Sequence, residues 1–213
     1  MVAAVDRSAL LRLARQTGSF VEVLPRIGQY VPAGMPMLRV HGGHTPPAPP
    51  QARRVLMLAR QRTIDQDPAF ALRILVDIAI RALSPAVNDP TTAVQVVDRI
   101  EDLLVDLYRR RPGPSLVLGD DGEPRGWVPA PTWTEYLELG LTEIRHYGMG
   151  SVQIERRLHA VYDRLAQATA DDALARVELE RRLLDEALDA RFSDAHERTI
   201  AGRPDRMGLG AGG

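Results

Sequence analysis

The chain has 213 residues, carries 27 Lys plus Arg against 28 Asp plus Glu, and has a formal net charge of -1. Such a balance produces no global field that would draw in nucleic acid or an anionic surface, so only local patches can do that. With no cysteine, disulfide staples, thiolate catalysis and Cys-based zinc sites are excluded. A 45% hydrophobic content is ordinary for a globular protein, and the length suffices for one large core or one core with a small appendage.

The N-terminal run is broken by Asp6, Arg7 and Arg12, so it forms no apolar core of a secretory signal. Residues 2–5 read as a short strand. Asp6 then caps a helix with Leu10, Leu13 and Ala14 on one face. Phe20, Val21 and Val23 predict a strand. Tyr30 with Val31, and Met37 with Leu38 and Val40, predict two more, separated by turns at Gly28, Gly34 and the prolines. Residues 43–51 are proline-rich and read as an extended linker.

The character then becomes helical, beginning with a short helix over 52–61. Asp67-Pro68 is a start signal, with Asp as cap and Pro at the first helical position. The helix runs to about Leu83, where Ser84-Pro85 stops it. Asn88-Asp89-Pro90 repeats the start signal and opens a helix to about Arg110. A β-hairpin is predicted at 115–129, turning at Asp120-Asp121-Gly122. Thr132 to Glu135 fits a capping box for a helix to about Tyr147. Further helices are predicted after Ser151 and over 172–191. Residues 193–213 read as a short helix and a disordered glycine-rich tail from about 201. The fold class is α+β and predominantly α-helical: a small α/β unit (1–42), a linker (43–51) and a helical domain (52–192).

The helix over 68–83 is apolar nearly all the way round, which predicts burial on most sides. Three charges at a bilayer centre would each cost about 2.5–3.5 kcal/mol, so a helix carrying Arg73, Asp77 and Arg81 reads as part of a soluble core. These three residues are spaced i, i+4, i+8 and form one stripe. Buried guanidinium groups need carboxylate partners, so one reading is an internal ion-pair network. Another is a subunit interface, and another an anion-binding cleft, since guanidinium forks match carboxylate and phosphate. In that reading the stripe continues into the connector through Ser84, Asn88, Asp89, Thr91 and Thr92, at a helix N-terminus with free N–H groups. Asp98, Asp102 and Asp106 form a second row. It reads chiefly as a solvated face, and as a metal-assisted hydrolase only in a third and weaker reading. His159 and Tyr162 read as packing, and the Arg156-Arg157 pair as a solvated face with no nucleic-acid role. No nucleophile motif, P-loop or dinucleotide fingerprint is present. No catalytic residue, cofactor or metal is assigned.

Several stretches resemble one family. They are Pro25-x-x-Gly28-x-Tyr30-Val31-x-x-Gly34-x-Pro36-Met37, Arg62-Thr63-x-x-Gln66-Asp67-Pro68, Leu75-Val76-Asp77-Ile78-Ala79, the string RALSPAVNDPTTA from Arg81 to Ala93, and Ile144-Arg145-x-Tyr147-Gly148. Together they resemble a family of predicted bacterial integral membrane proteins of unknown function, over most of residues 1–192. The resemblance implies that related chains carry several transmembrane helices before this region and that this region is their soluble domain. It implies no activity. The expectation is a non-catalytic sensory, regulatory or assembly module. It would be homo-oligomeric, with a membrane-protein partner or a transmembrane region elsewhere, and would sit in the cytoplasm at the inner face of the membrane.

Overall fold

The computed structural model describes residues 1–206. It is 55% helical and 13% strand, so the fold is α+β and predominantly helical. The chain forms two compact units, residues 1–71 with 112–132, and residues 72–111 with 133 onward.

The first unit is built on alternation. β1 (Val2–Val5) is followed by α1 (Arg7–Thr17), whose N-cap Asp6 accepts a hydrogen bond from the Ala9 amide. β2 (Ser19–Val23) buries Ser19, Val21 and Val23 and turns Phe20 and Glu22 outward, the period-two pattern of a half-buried strand. β3 (Leu38–Gly42) pairs antiparallel with β2. The short helix α2 (Pro49–Arg53) precedes β4 (Leu56–Leu58), which pairs antiparallel with β1. The hairpin strands β5 (Ser115–Leu118) and β6 (Pro124–Val128) complete a four-stranded sheet of order β3-β2-β6-β5, with β6 parallel to β2. Leu10, Leu13, Val21, Val23, Val55, Val117 and Val128 pack as one apolar core.

Three features of this unit depart from the sequence reading. Tyr30 and Val31 form no strand, because the turn at Gly28 and the Pro32–Met35 turn leave them in a loop. Residues 52–61 are not a helix: α2 ends at Arg53 and the chain turns directly into β4. Leu56 thereby enters the core and the backbone pairs with β1, a long-range gain that outweighs local helix propensity. The hairpin forms where expected, but it pairs with β2 and not with the helical stretch. Local periodicity carries no information on such a distant partner.

The second unit contains most of α3 (Pro68–Ala82), then α4 (Pro90–Arg109), α5 (Trp133–Gly148), α6 (Val152–Ala168), α7 (Asp171–Arg191) and α8 (Ala195–Gly202). Asp89 caps α4 as expected, and Asp194 caps α8. Ser151 takes the N-cap position of α6 without a side-chain bond; Glu155 instead reaches back to the Gly150 amide at 2.8 Å. The indole of Trp133 donates to the Leu104 carbonyl at 2.8 Å and packs edge-on against Tyr108, which fixes the start of α5 on α4. Helix α6 packs against α4, α5, α7 and α8 and is the centre of this unit. The tail expected from about 201 is held through 205: Ala201 and Asp205 are buried, and the Asp205 amide donates to the Arg156 carbonyl. Residues 207–213, the rest of that expected tail, lie outside the described residues.

Gly126 is where β6 closes on the first unit. A Cβ there would stand 2.4 Å from Leu10 and 2.7 Å from the Val21 carbonyl oxygen. Gly126→Ala is therefore expected to destabilise the protein by about 1–3 kcal/mol through overpacking, lowering Tm by several degrees. Gly202→Ala, where a Cβ meets nothing within 4 Å, should leave Tm unchanged or slightly raised in the same thermal unfolding experiment.

Candidate functional site

The charged stripe on α3 divides in two. Arg73 is committed: its Nε donates to Asp77 at 2.8 Å, and its terminal nitrogens bond Asp77 and Glu143 of α5. Glu143 first, and then Asp77, hold the Arg73 guanidinium even more firmly protonated than usual. Arg81 is exposed and has no ion pair among the described residues. Helix α3 itself is buried on one side only. Leu72, Val76, Ala79 and Ala82 face inward, whereas Ile74 and Ile78 remain 40% and 42% exposed. This corrects the expected burial on most sides: the described chain supplies cover for one face of a helix that is apolar on both.

The connector satisfies itself. The amides of Val87 and Asn88 donate to the Ser84 carbonyl, that of Asp89 to the Ala82 carbonyl, and the Ser84 hydroxyl to the Arg81 carbonyl. The Asp89 carboxylate accepts from both the amide and the hydroxyl of Thr92, which holds it below the usual carboxylate range. The amide a bound anion would use is thus already taken by a side chain. Asn88 adopts a positive φ of 48° and is exposed, as is Thr91.

The dense ionic chemistry lies on α6. Arg157 is buried, donates from Nε to Asp98 at 2.7 Å and also bonds Glu101, which is 1% exposed. Arg164 adds a second guanidinium, its Nε 3.0 Å from Glu101 Oε1. Elsewhere in the unit, Glu180 of α7 lies between Arg176 at 2.6 Å and Arg145 at 3.4 Å. Near the N-terminus of α6, Glu155 holds Arg191 at 2.9 Å. The Arg156-Arg157 pair, read from sequence as a solvated face, is buried. Asp98 and Asp102 each face guanidinium groups, and no group of three or more metal-ligating side chains converges among the described residues.

Burial pushes the Glu101 carboxyl up, against the pull of Arg157 and Arg164. Burial likewise pushes His159 down, opposed by Asp185, whose Oδ1 lies 3.7 Å from Nε2. The Tyr162 hydroxyl, raised by the same effect, shares this interior. A polar cleft of about 210 Å³ opens beside the Glu101 pairs, lined by Arg157, Asp163, Arg164, Gln167 and Arg206. Its acids are already engaged: Glu101 by Arg157 and Arg164, and Asp163 by Arg181 at 2.8 Å. One sequence signal did point to α6. Its apolar residues at 154, 158, 161 and 165 share the helix with Glu155, Arg156, Arg157 and His159, so a central position for the helix brings charged groups inside with it.

A second motif convergence lies in the first unit. Asp67, 3% exposed, accepts from Arg62 at 2.7 and 2.9 Å and caps the Phe70 amide at 3.0 Å. Gly28, at φ 81°, backs directly onto this pair, and a Cβ there would collide with both side chains. Residues scattered through the sequence motifs thus form one structural contact.

Those motifs match a family model. Residues 1–164 fit the family described as "Predicted membrane protein (DUF2254)". The chain belongs to this family. An uncharacterised protein of Mycobacterium bovis is 30% identical over 203 residues, which is 92% of this chain and 39% of that protein. An uncharacterised protein of Mycobacterium tuberculosis gives the same values. A further uncharacterised protein, from another Mycobacterium tuberculosis strain, is 33% identical over 153 residues, 71% of this chain and 29% of its own length. The chain therefore spans less than half the length of these relatives. No solved structure matches it. Among the described residues, no helix is long and apolar enough to cross a membrane.

Two outcomes are expected of the ionic core. Arg157→Met leaves Glu101 buried with a single partner and should destabilise by about 3–5 kcal/mol, with Arg157→Met/Glu101→Leu recovering most of the loss. Denaturant unfolding of the three proteins checks this. Burial disfavours the charged form of His159 in the fold, whereas the unfolded chain takes up its proton near pH 6.5. Its contribution is therefore fully present above pH 6.5 and is lost as the pH falls below it. Tm measured from pH 7 to 5 should fall less steeply for His159→Gln than for the wild type.

Proposed function

We propose that the chain is a non-catalytic sensory, regulatory or assembly module of a membrane protein. It works as an oligomer on the cytoplasmic side of the membrane. The observation that carries this reading is the uncovered face of α3. Ile74 and Ile78 are large aliphatic groups one helical turn apart, 40% and 42% exposed. Val87, at 54%, extends the apolar surface into the connector. A helix apolar all round is normally enclosed, so the missing cover comes from another surface.

A second copy supplies it most simply. Asp77, which already pairs with Arg73 through one carboxylate oxygen, and Arg81 are both exposed and carry opposite signs on the same helix. A two-fold contact brings a patch against itself, so such a pair is self-complementary. The ionic layers around α6 support the reading from inside. Buried charge pairs add little net stability relative to apolar packing but help to specify one arrangement of helices, which suits a part that must present a defined surface.

Light scattering on the 213-residue chain, with detergent co-purification of membrane proteins from its own host, tests the proposal. A dimer or larger assembly is expected for the wild type and a folded monomer for Ile78→Glu. A strictly monomeric wild type that retains no membrane protein would overturn it.

The small-anion reading keeps one supporting observation, the exposed Arg81 without an acidic partner among the described residues, at the foot of a connector whose Asn88 has positive φ. In a thermal-shift screen of carboxylates and phosphates, a ligand at about 100 times its Kd adds roughly 2.7 kcal/mol. That reading expects a shift lost in folded Arg81→Ala, and fails if no anion moves Tm.

A further inference from the structure

From residue 23 to residue 64 the sequence contains six arginines and no aspartate or glutamate; Glu22 and Asp65 bracket the run. In a chain whose charges balance only overall, this is a local excess of positive charge within one unit. Arg39 and Arg62 are paired to acids outside the run, Glu22 and Asp67. Arg53, Arg54 and Arg60 are exposed and have no ion pair among the described residues.

The same run carries the most exposed large apolar side chains of the unit. Tyr30 is 70% exposed, and Met35, Met57, Leu58 and Ile64 are each more than half exposed. Beside them, Met37, Leu38, Ala52, Leu56 and Leu58 line an apolar groove of about 500 Å³ with Arg53 at its edge. Among the described residues neither strand of the small β1-β4 sheet has a further partner, and Met57 and Leu58 of β4 are both exposed, on opposite sides of the strand. The groove brings Leu58 and its apolar neighbours beside Arg53 with no acid in its lining, although Asp6 lies beside Met57 on another side of β4; such a groove fits a plane that is anionic at its surface and apolar beneath. Tyrosine and long arginine stems suit that boundary, since each has an apolar body and a polar end.

We infer that this face of the first unit docks on an anionic phospholipid surface. Arg53, Arg54 and Arg60 meet the headgroup phosphates, and Leu58 with its groove takes up acyl-chain or glycerol-level apolar contact. Attachment of this kind lies on the bilayer without crossing it. The inference rests on the reading of the domain as part of a membrane protein, and it adds which face meets the lipid and by what chemistry.

The test is sedimentation of the 213-residue chain with vesicles of phosphatidylcholine alone and of phosphatidylcholine mixed with phosphatidylglycerol. Binding is expected only to the mixed vesicles and should weaken as salt is raised. Each neutralised arginine should weaken partitioning about fivefold. Arg53→Gln/Arg54→Gln/Arg60→Gln should therefore lower it by about a hundredfold. Leu58→Asp should also lower it, whereas Leu116→Asp, a comparably exposed position on β5, should not. Circular dichroism checks that each variant is folded. No binding to the mixed vesicles, equal binding to neutral ones, or wild-type binding by the triple variant overturns the inference. Because this assay contains lipid alone, its failure leaves the assembly measured by light scattering standing, and the reverse also holds.

Discussion

Glu101 holds a carboxylate where water barely reaches, and much of the helical unit is arranged to make that tolerable. Removing a carboxylate from water costs several kcal/mol unless opposite charge replaces the lost hydration. Here the replacement is two guanidinium groups from α6, Arg157 and Arg164, spaced two turns apart on that helix. The geometry fixes how α4 and α6 slide along and rotate about each other, since a shift of one residue would strand the acid. Glu155 and Glu180 repeat the arrangement elsewhere in the unit with Arg191, Arg145 and Arg176.

The two units are therefore held by different physics. In the first, alternating valines and leucines meet across a sheet and a helix, and area removed from water supplies the stabilisation. In the second, aliphatic contacts are interleaved with charge pairs that add specificity more than net energy. The surfaces differ as well. One unit leaves an acid-free arginine run and loop-borne aliphatics open; the other leaves two isoleucines open on a helix that also carries a fully committed Arg73–Asp77–Glu143 cluster.

The sequence was most legible where punctuation is local. Asp6, Asp67 and Asp89 mark helix starts by capping, and Asp-Pro pairs and glycines do the same for boundaries, so most elements lie within a residue or two of their expected ends. Legibility failed where an outcome depends on a distant partner. Residues 56–58 have a sequence equally suited to helix, and only β1 makes them a strand. Arg157 looks solvated until Asp98 and Glu101 are placed beside it. Arg73 pairs with Glu143 beyond its own helix, a partner no local pattern names, because the two positions are 70 residues apart. The resemblance motifs were informative for another reason: Gly28, Arg62 and Asp67 are far apart in sequence yet share one contact.

The parallel pairing of β6 with β2 bears on how the protein comes into being. Val21 meets Gly126 across about a hundred residues of intervening chain, a closure whose entropy must be met before the pairing gains anything. During synthesis, the first unit emerges without the two strands that finish its sheet, and β2 waits with an open edge while α3 and α4 are made. The first unit is thus discontinuous in the gene but single in space. Native folding of the N-terminal half depends on a segment translated after a large part of the other unit, and a fragment ending before residue 112 would expose the β2 edge to pairing with other chains.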